Sequence, residues 1–224
     1  MDKQNLISLL NYQTKAVIFE GYFSSIKECV EEAINQKIAL DYVDLSGQNL
    51  SCANMDDGSF RGANFSYSNL KDANLSECDF TNANFSYTDL TSACMAISIV
   101  KGCFFYQASF CMTDVTDAFI VNCVFSCPSA LDVYFARSQQ FKNNVFYAEG
   151  YGNVIMNEPP VVVHGLCRSI VFTDDMIKIG HEFIKKDIIA DMHIEQLVMD
   201  YGEKTGLLLN AFLSQKQHSF MDLV

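Results

Sequence analysis

Three short strings carry residue types used in serine acyl-transfer chemistry, in the order that chemistry arranges them: Ser24 with Lys27 as SxxK, Tyr67-Ser68-Asn69 as YxN, and Lys204-Thr205-Gly206 as KTG. Such a set would offer a nucleophilic hydroxyl and a lysine to activate it. The neighbouring "GEKTG" fails as a phosphate-binding loop, because no Gly directly precedes Lys204 and none stands five places before that. His164, His181, His193 and His218 show no HExxH spacing; His181-Glu182 is the one pair able to do acid/base work, and an enzyme built around it and His164 is the weakest of three functional readings. Nine cysteines form an odd set without a CxxC pair, so neither a disulfide framework nor a zinc site is signalled and the thiols read as reduced. Cys123 and Cys127 read as an inward small residue and a surface thiol.

The elements that would position these groups follow from a different regularity. In "ANFSYSNLKDANLSECDFTNANFSYTDL", residues 63–90, Phe or Leu recurs every fifth residue, a period that neither an α-helix nor a strand requires. From Leu45 to Phe125 the register is unbroken: all seventeen positions are large and apolar, and the residue two places before each is nearly always small. Such self-similarity marks a solenoid, in which each unit buries its apolar side by stacking on its neighbours. Ser68 falls on a small position of this register, where a solenoid that buries its repeating residues would turn the hydroxyl inward, and short tripeptides recur by chance, so the acyl-transfer reading is set aside. No enzyme signature survives, and no metal or cofactor is implied.

The strings "CANMD", "GANFS", "DANLS" and "NANFS" resemble the pentapeptide-repeat family, over about residues 41–127. The resemblance implies a mainly β fold, a right-handed quadrilateral β-helix with four pentapeptides per coil and the large and small residues pointing inward. Residues 1–40 read as a cap over the first coil. The cap holds a helix at about 25–36, with Ser25 and Glu28 as a capping box and Ile26, Val30, Ala33 and Ile34 as an apolar stripe. After Phe125 the register slips at Pro128, and "SQQFKNNVF" reads as one more, irregular coil to about 147, with Phe141 and Phe146 inside. Residues 150–224 read as a small α+β unit on the last coil, with strands in "VVVHG", "RSIVFT" and "MIKIGHEF" and helices at about 185–200 and 203–216. This arrangement looks like proteins of tailed bacteriophages.

Half of the 224 residues are apolar, enough for a packed core. The net charge of −12 argues against direct binding of nucleic-acid backbone. With no leader and no run of about 18 apolar residues, the expectation is a cytoplasmic protein that does not engage membranes. In a four-unit coil, residues twenty apart share a face. One face carries Asp56, Asp57, Glu77, Asp114 and Asp117 without a basic residue, and holds most of the net −7 of residues 41–125. Another stacks Tyr67 on Tyr87 and sets Phe104 and Val124 at positions usually Asn or Asp, while Ile99 and Phe119 break the same rule next door. The acidic face leads to the first expectation, a non-enzymatic, phage-encoded inhibitor that occludes a basic host protein in nucleic-acid handling or defence. Pentapeptide-repeat gyrase inhibitors are thought to mimic DNA in this way, although the many Asn residues here dilute the charge. The apolar residues lead to the alternative, a structural protein that self-associates as a homodimer.

Overall fold

The computed structural model describes residues 4–126, 133–148, 152–163, 170–174, 176–179 and 182–191, and the single positions 193, 196, 199, 200 and 202. The chain divides into two compact units, Met1–Pro160 and Val161–Val224. The division falls ten residues beyond the boundary expected from composition, because the strand after the last coil still pairs with that coil.

The first unit opens with an antiparallel pair, β1 (Asn5–Leu10) and β2 (Val17–Phe23), whose register shifts between Leu9 and Leu10. Helix α1 (Ile26–Asn35) follows and buries Cys29, Val30, Ala33 and Ile34. Ser25 Oγ accepts from the Glu28 N–H at 3.2 Å, satisfying one orphan donor of the first turn. The return bond differs from the expected capping box: the Glu28 carboxylate accepts from the backbone N–H and hydroxyl of Ser24, not from Ser25. Glu31 ties α1 to the repeats by accepting the Asn54 N–H at 2.8 Å.

From Asp44 onward the chain returns every twenty residues to lie parallel beside itself, as in the bridges Asn49↔Asn69, Asn64↔Asn84 and Cys94↔Asp114. Each junction is bonded in both directions: the Phe65 N–H donates to Asn84 O at 2.8 Å, and the Asn84 N–H to Ala63 O at 2.9 Å. Corners are four-residue turns closed by bonds such as Ala63 N–H to Phe60 O at 3.1 Å, with positive φ at the third residue as type II geometry demands. An Asn or Asp before the large residue commonly caps the next turn. Asn64 Oδ1 accepts both the N–H and the hydroxyl of Ser66, and Asp79 treats Thr81 in the same way. Asn is favoured over Asp there because its amide also donates to the coil before, as Asn74 Nδ2 does to Asn54 Oδ1 at 2.9 Å.

Where Ile99, Phe104, Phe119 and Val124 replace that cap, the backbone extends into true strands: β3 (Ile99–Lys101), β4 (Phe104–Phe105), β5 (Phe119–Val121) and β6 (Val124–Phe125). Strands β7 (Gln140–Lys142) and β8 (Asn144–Ala148) continue their parallel sheets, and Phe141 and Phe146 are buried. Here the spacing is 21, since Phe119 pairs with Gln140 and Val124 with Val145. Strand β9 (Gly152–Met156) then folds back antiparallel on β8.

Inside, Phe65, Phe85, Phe105, Phe125 and Phe146 stack at centroid distances of 5.0, 5.1, 4.9 and 4.8 Å, close to the spacing of paired strands. Phe60 and Phe80 stack beside them, and Phe80 meets Phe85 edge-on at 5.2 Å. Inward hydroxyls and thiols are satisfied by carbonyls: Thr88 donates to Phe65 O at 2.6 Å, and Cys103 to Phe80 O at 2.9 Å. Burial raises the Cys78 thiol to about 12, which makes it an inert filler.

The left-handed turn position admits one poor fit. Ile97 has φ of 61° and is 53% exposed, a combination that costs a β-branched residue backbone strain and returns little packing. Ile97→Asn is expected to stabilise the unit by about 1 kcal/mol, raising the thermal midpoint by roughly 2–4 °C. Calorimetry on the two proteins checks this.

The second unit is an antiparallel meander of β10 (Val161–Val163), β11 (Ile170–Phe172), β12 (Met176–Ile179) and β13 (Glu182–Lys185), followed directly by α2 (Lys186–Ala190). "MIKIGHEF" is therefore two paired strands rather than one. The helix expected over 185–200 is interrupted by a turn at Asp191, beyond which Gln196, Met199 and Asp200 are again helical. The second expected helix, at 203–216, lies outside the described residues.

Candidate interaction surfaces

Ser68 is buried, and its hydroxyl donates to Phe65 O at 2.7 Å, so it cannot meet a substrate. His164, His181, His218, Cys127, Cys167 and the string 204–206 lie outside the described residues. Among the described residues no cluster of His, Cys, Asp and Glu could hold a metal ion, and no helix is long and apolar enough to cross a membrane.

The acidic face is built from turn residues. Asp57, Glu77 and Asp117 occupy left-handed positions of one ladder, with Ile97 between the last two, and project outward, with Asp56 beside Asp57. The expectation that this face lacks basic residues needs correction. Lys37, from the loop after α1, occupies the same ladder and its Nζ reaches Asp57 Oδ2 at 2.9 Å. That hydrogen bond raises the Lys37 pKa, but both side chains are well exposed, so the pair contributes little stability. At the other end the Asp117 N–H donates to Arg137 O at 2.8 Å. Asp114 is a turn cap: its carboxylate accepts the Thr116 hydroxyl and N–H, which lowers its pKa together with the Arg137 charge. Among the described residues Asp56, Glu77 and Asp117 have no ion-pair partner within 4 Å.

The aromatic face is longer than its sequence signature. Tyr67 and Tyr87 stack at 4.6 Å and 5°, and Tyr106 meets Tyr87 edge-on at 5.3 Å. Partial burial among these rings raises the Tyr87 pKa. On the same side Phe104, Val124, Val145 and Ile155 follow one another across β4, β6, β8 and β9. Tyr67 is 65% exposed, Phe104 52% and Ile155 57%, although all are large and apolar. Ile99 is also exposed and pairs with a half-buried Phe119 on the adjoining sheet. Tyr106 was within reach of sequence reasoning, since it lies on the same face as Tyr87; Val145 was masked by the 21-residue spacing and Ile155 by the reversal into β9.

The family model of pentapeptide repeats matches residues 39–66 and 59–95, in eight copies. Residues 39–95 are similar to pentapeptide repeats. Similar solved structures include HetL, a pentapeptide repeat protein involved in heterocyst differentiation regulation from the cyanobacterium Nostoc sp. strain PCC 7120, at 22% identity over 36% of this chain and 39% of that one, with a TM-score of 0.29. QnrB1, a plasmid-mediated fluoroquinolone resistance protein, is 27% identical over 37% of this chain and 46% of that one, with a TM-score of 0.36. Another pentapeptide repeat protein from Nostoc PCC 7120 is 22% identical over 42% of this chain and 77% of that one, with a TM-score of 0.37. The matched part thus spans less than half the length of HetL and of QnrB1. No curated protein matches the chain. The aromatic face begins within the pentapeptide repeats at Tyr67 and runs past their matched end, where apolar residues displace the turn-capping Asn.

Proposed function

We propose that this chain is a non-enzymatic protein-binding module whose working surface is the aromatic face of its pentapeptide-repeat unit. In this reading residues 41–147 wind as a right-handed coil of square cross-section, consistent with the twenty-residue return and its turns every five residues. The observation that carries the functional reading is the apolar run from Tyr67 to Ile155, exposed at Tyr67, Tyr87, Phe104, Tyr106 and Ile155 and half-buried at Val124 and Val145, since an apolar stripe of that length on a protein surface marks a site that another surface covers. Stacked tyrosines on a rigid backbone lose little conformational freedom on docking and suit an interface core.

A second reading, favoured by the exposed carboxylates of Asp56, Glu77 and Asp117, is a phage-encoded inhibitor acting in the host cytoplasm. It would occlude a basic protein of nucleic-acid handling or antiviral defence. Pairing of Asp57 with Lys37 and the capping role of Asp114 weaken that display. Affinity capture from bacterial lysate separates the two. The expected result is a partner held at low and high salt by the wild type and by the triple variant Asp56→Asn, Glu77→Gln, Asp117→Asn. Tyr87→Asn combined with Phe104→Asn should hold it at least tenfold less tightly. A partner lost at high salt and lost by the acidic-face variant would instead establish the second reading.

A further inference from the structure

Resting on the assignment of the aromatic face as a contact surface, we infer that it receives an amphipathic α-helix of another protein, one that carries carboxylates along a flank of its apolar stripe. The two borders of the face differ. The corner after it holds Tyr67, Tyr87, Tyr106 and Tyr147, all exposed. The corner before it holds Arg61, Lys101 and Lys142: Lys101 pairs with Val121 and Val121 with Lys142, and Arg61 lies forty residues before Lys101. Three of the five Lys and Arg residues in 41–147 thus share one ladder. Arg61 is tied to Asp79 at 2.6 Å, whereas among the described residues neither Lys101 nor Lys142 has an ion-pair partner within 4 Å. Both lysines are exposed, and they stand three residues before Phe104 and Val145, beside the apolar part of the face. Every outward position of the face itself from Asn64 to Ser126 is uncharged.

The apolar strip supplies the binding and the lysines choose the partner. A chain of net charge −12 repels an acidic partner at a distance, but at physiological salt that repulsion is screened beyond about 8 Å, and the groups that meet decide the contact. Carboxylates set beside Lys101 and Lys142 gain partners there, while basic residues meet like charge. Nucleic acid suits the face less well, because Tyr67 and Tyr87 stack on each other at 4.6 Å and offer ring edges where bases need ring faces. Spacing selects a helix. Lys101 and Lys142 are two strand spacings apart, about 9.6 Å. On a helix laid along the coil axis, carboxylates seven residues apart rise about 10.5 Å, and apolar turns recur about every 5.4 Å, close to the strand spacing of about 4.8 Å. An extended strand returns to one side only about every 6.7 Å and falls out of step with the coils.

The probe is a labelled helical peptide of about sixteen residues, long enough for roughly 24 Å of the face, with Leu along one stripe and Glu seven residues apart on its flank. A counterpart carries Gln in place of Glu. By fluorescence anisotropy at about 0.15 M salt, the full chain is expected to bind the Glu peptide at least tenfold more tightly than the Gln peptide. Lys101→Glu combined with Lys142→Glu should abolish that preference while leaving the Gln peptide and the thermal midpoint unchanged. Phe104→Asn should weaken both peptides at least tenfold without endangering the fold, since Asn caps the turn at this position in neighbouring coils, as Asn64 and Asn84 do. Lys71→Glu, at an exposed cation on another corner, should change neither. Equal binding of the two peptides, or binding of neither, overturns the inference. So does tighter binding of an oligo(dT) strand or of anionic phospholipid vesicles, or a dimer in sedimentation equilibrium that Phe104→Asn dissociates. Equal binding that Phe104→Asn still weakens would reject the acidic helix alone, while capture from lysate judges the contact surface itself.

Discussion

Phe85→Ala is expected to destabilise the repeat unit by about 3–5 kcal/mol. This should appear as a fall of roughly 10 °C in the thermal midpoint followed by far-ultraviolet circular dichroism. Phe85 is fully buried and stacks on Phe65 at 5.0 Å and on Phe105 at 5.1 Å, with its edge against Phe80. Truncation removes the ring and leaves a cavity that neighbours cannot close, because backbone bonds such as Phe65 N–H to Asn84 O and Phe85 N–H to Phe104 O hold the coils at fixed spacing. In a solenoid each coil is held by its two neighbours, so a hole in the middle of the ladder weakens two interfaces at once. Phe85→Leu keeps most of the volume and should cost about 1–2 kcal/mol. A shift below about 2 °C for the Ala variant would mean that the ring ladder does not hold the coils together.

The inward ladders were legible because the requirement they meet is local and repeats identically: a large apolar residue every fifth position, with a small one two places before. Faces could be sorted from the sequence for the same reason, and Tyr67 does stack on Tyr87. Whatever interrupts the period was hidden. One extra residue between Asp117 and Gln140 moves the spacing from 20 to 21, which detached Val145 from Val124 in any fixed-period reading. Lys37 and Arg137 lie just outside the regular repeats, so the acidic face looked free of cations until the coils were closed on the cap and on the last turn. The outward Asn residues looked like diluted charge; the structure gives them work as turn caps that also donate to the coil below. In the second unit the strands are three or four residues long, and nothing in a stretch as short as "MIKIGHEF" says where the chain reverses.

Ala83→Leu is expected to cost about 3 kcal/mol, and Ala83→Ser less than about 1 kcal/mol. Both substitutions fall on a fully buried small position whose ladder runs through Ala63, Ala83, Cys103 and Cys123. A leucine has no room there, because the next ladder member sits one strand spacing away on each side. A serine hydroxyl, by contrast, has an acceptor waiting. Thr88 and Cys103 each reach the carbonyl 23 residues earlier, at 2.6 and 2.9 Å, and the equivalent carbonyl for position 83 is Phe60 O. The consequence extends to the surface: the Phe104 N–H donates to Ala83 O at 3.1 Å and the Asn84 N–H to Ala63 O at 2.9 Å, so an oversized side chain shifts the strands that carry Tyr87 and Phe104. Ala83→Leu should therefore lower the thermal midpoint and weaken partner capture through the aromatic face together, while Ala83→Ser leaves both in place. Equal tolerance of the two side chains would show that the corner is not crowded and that the small residues are there for another reason.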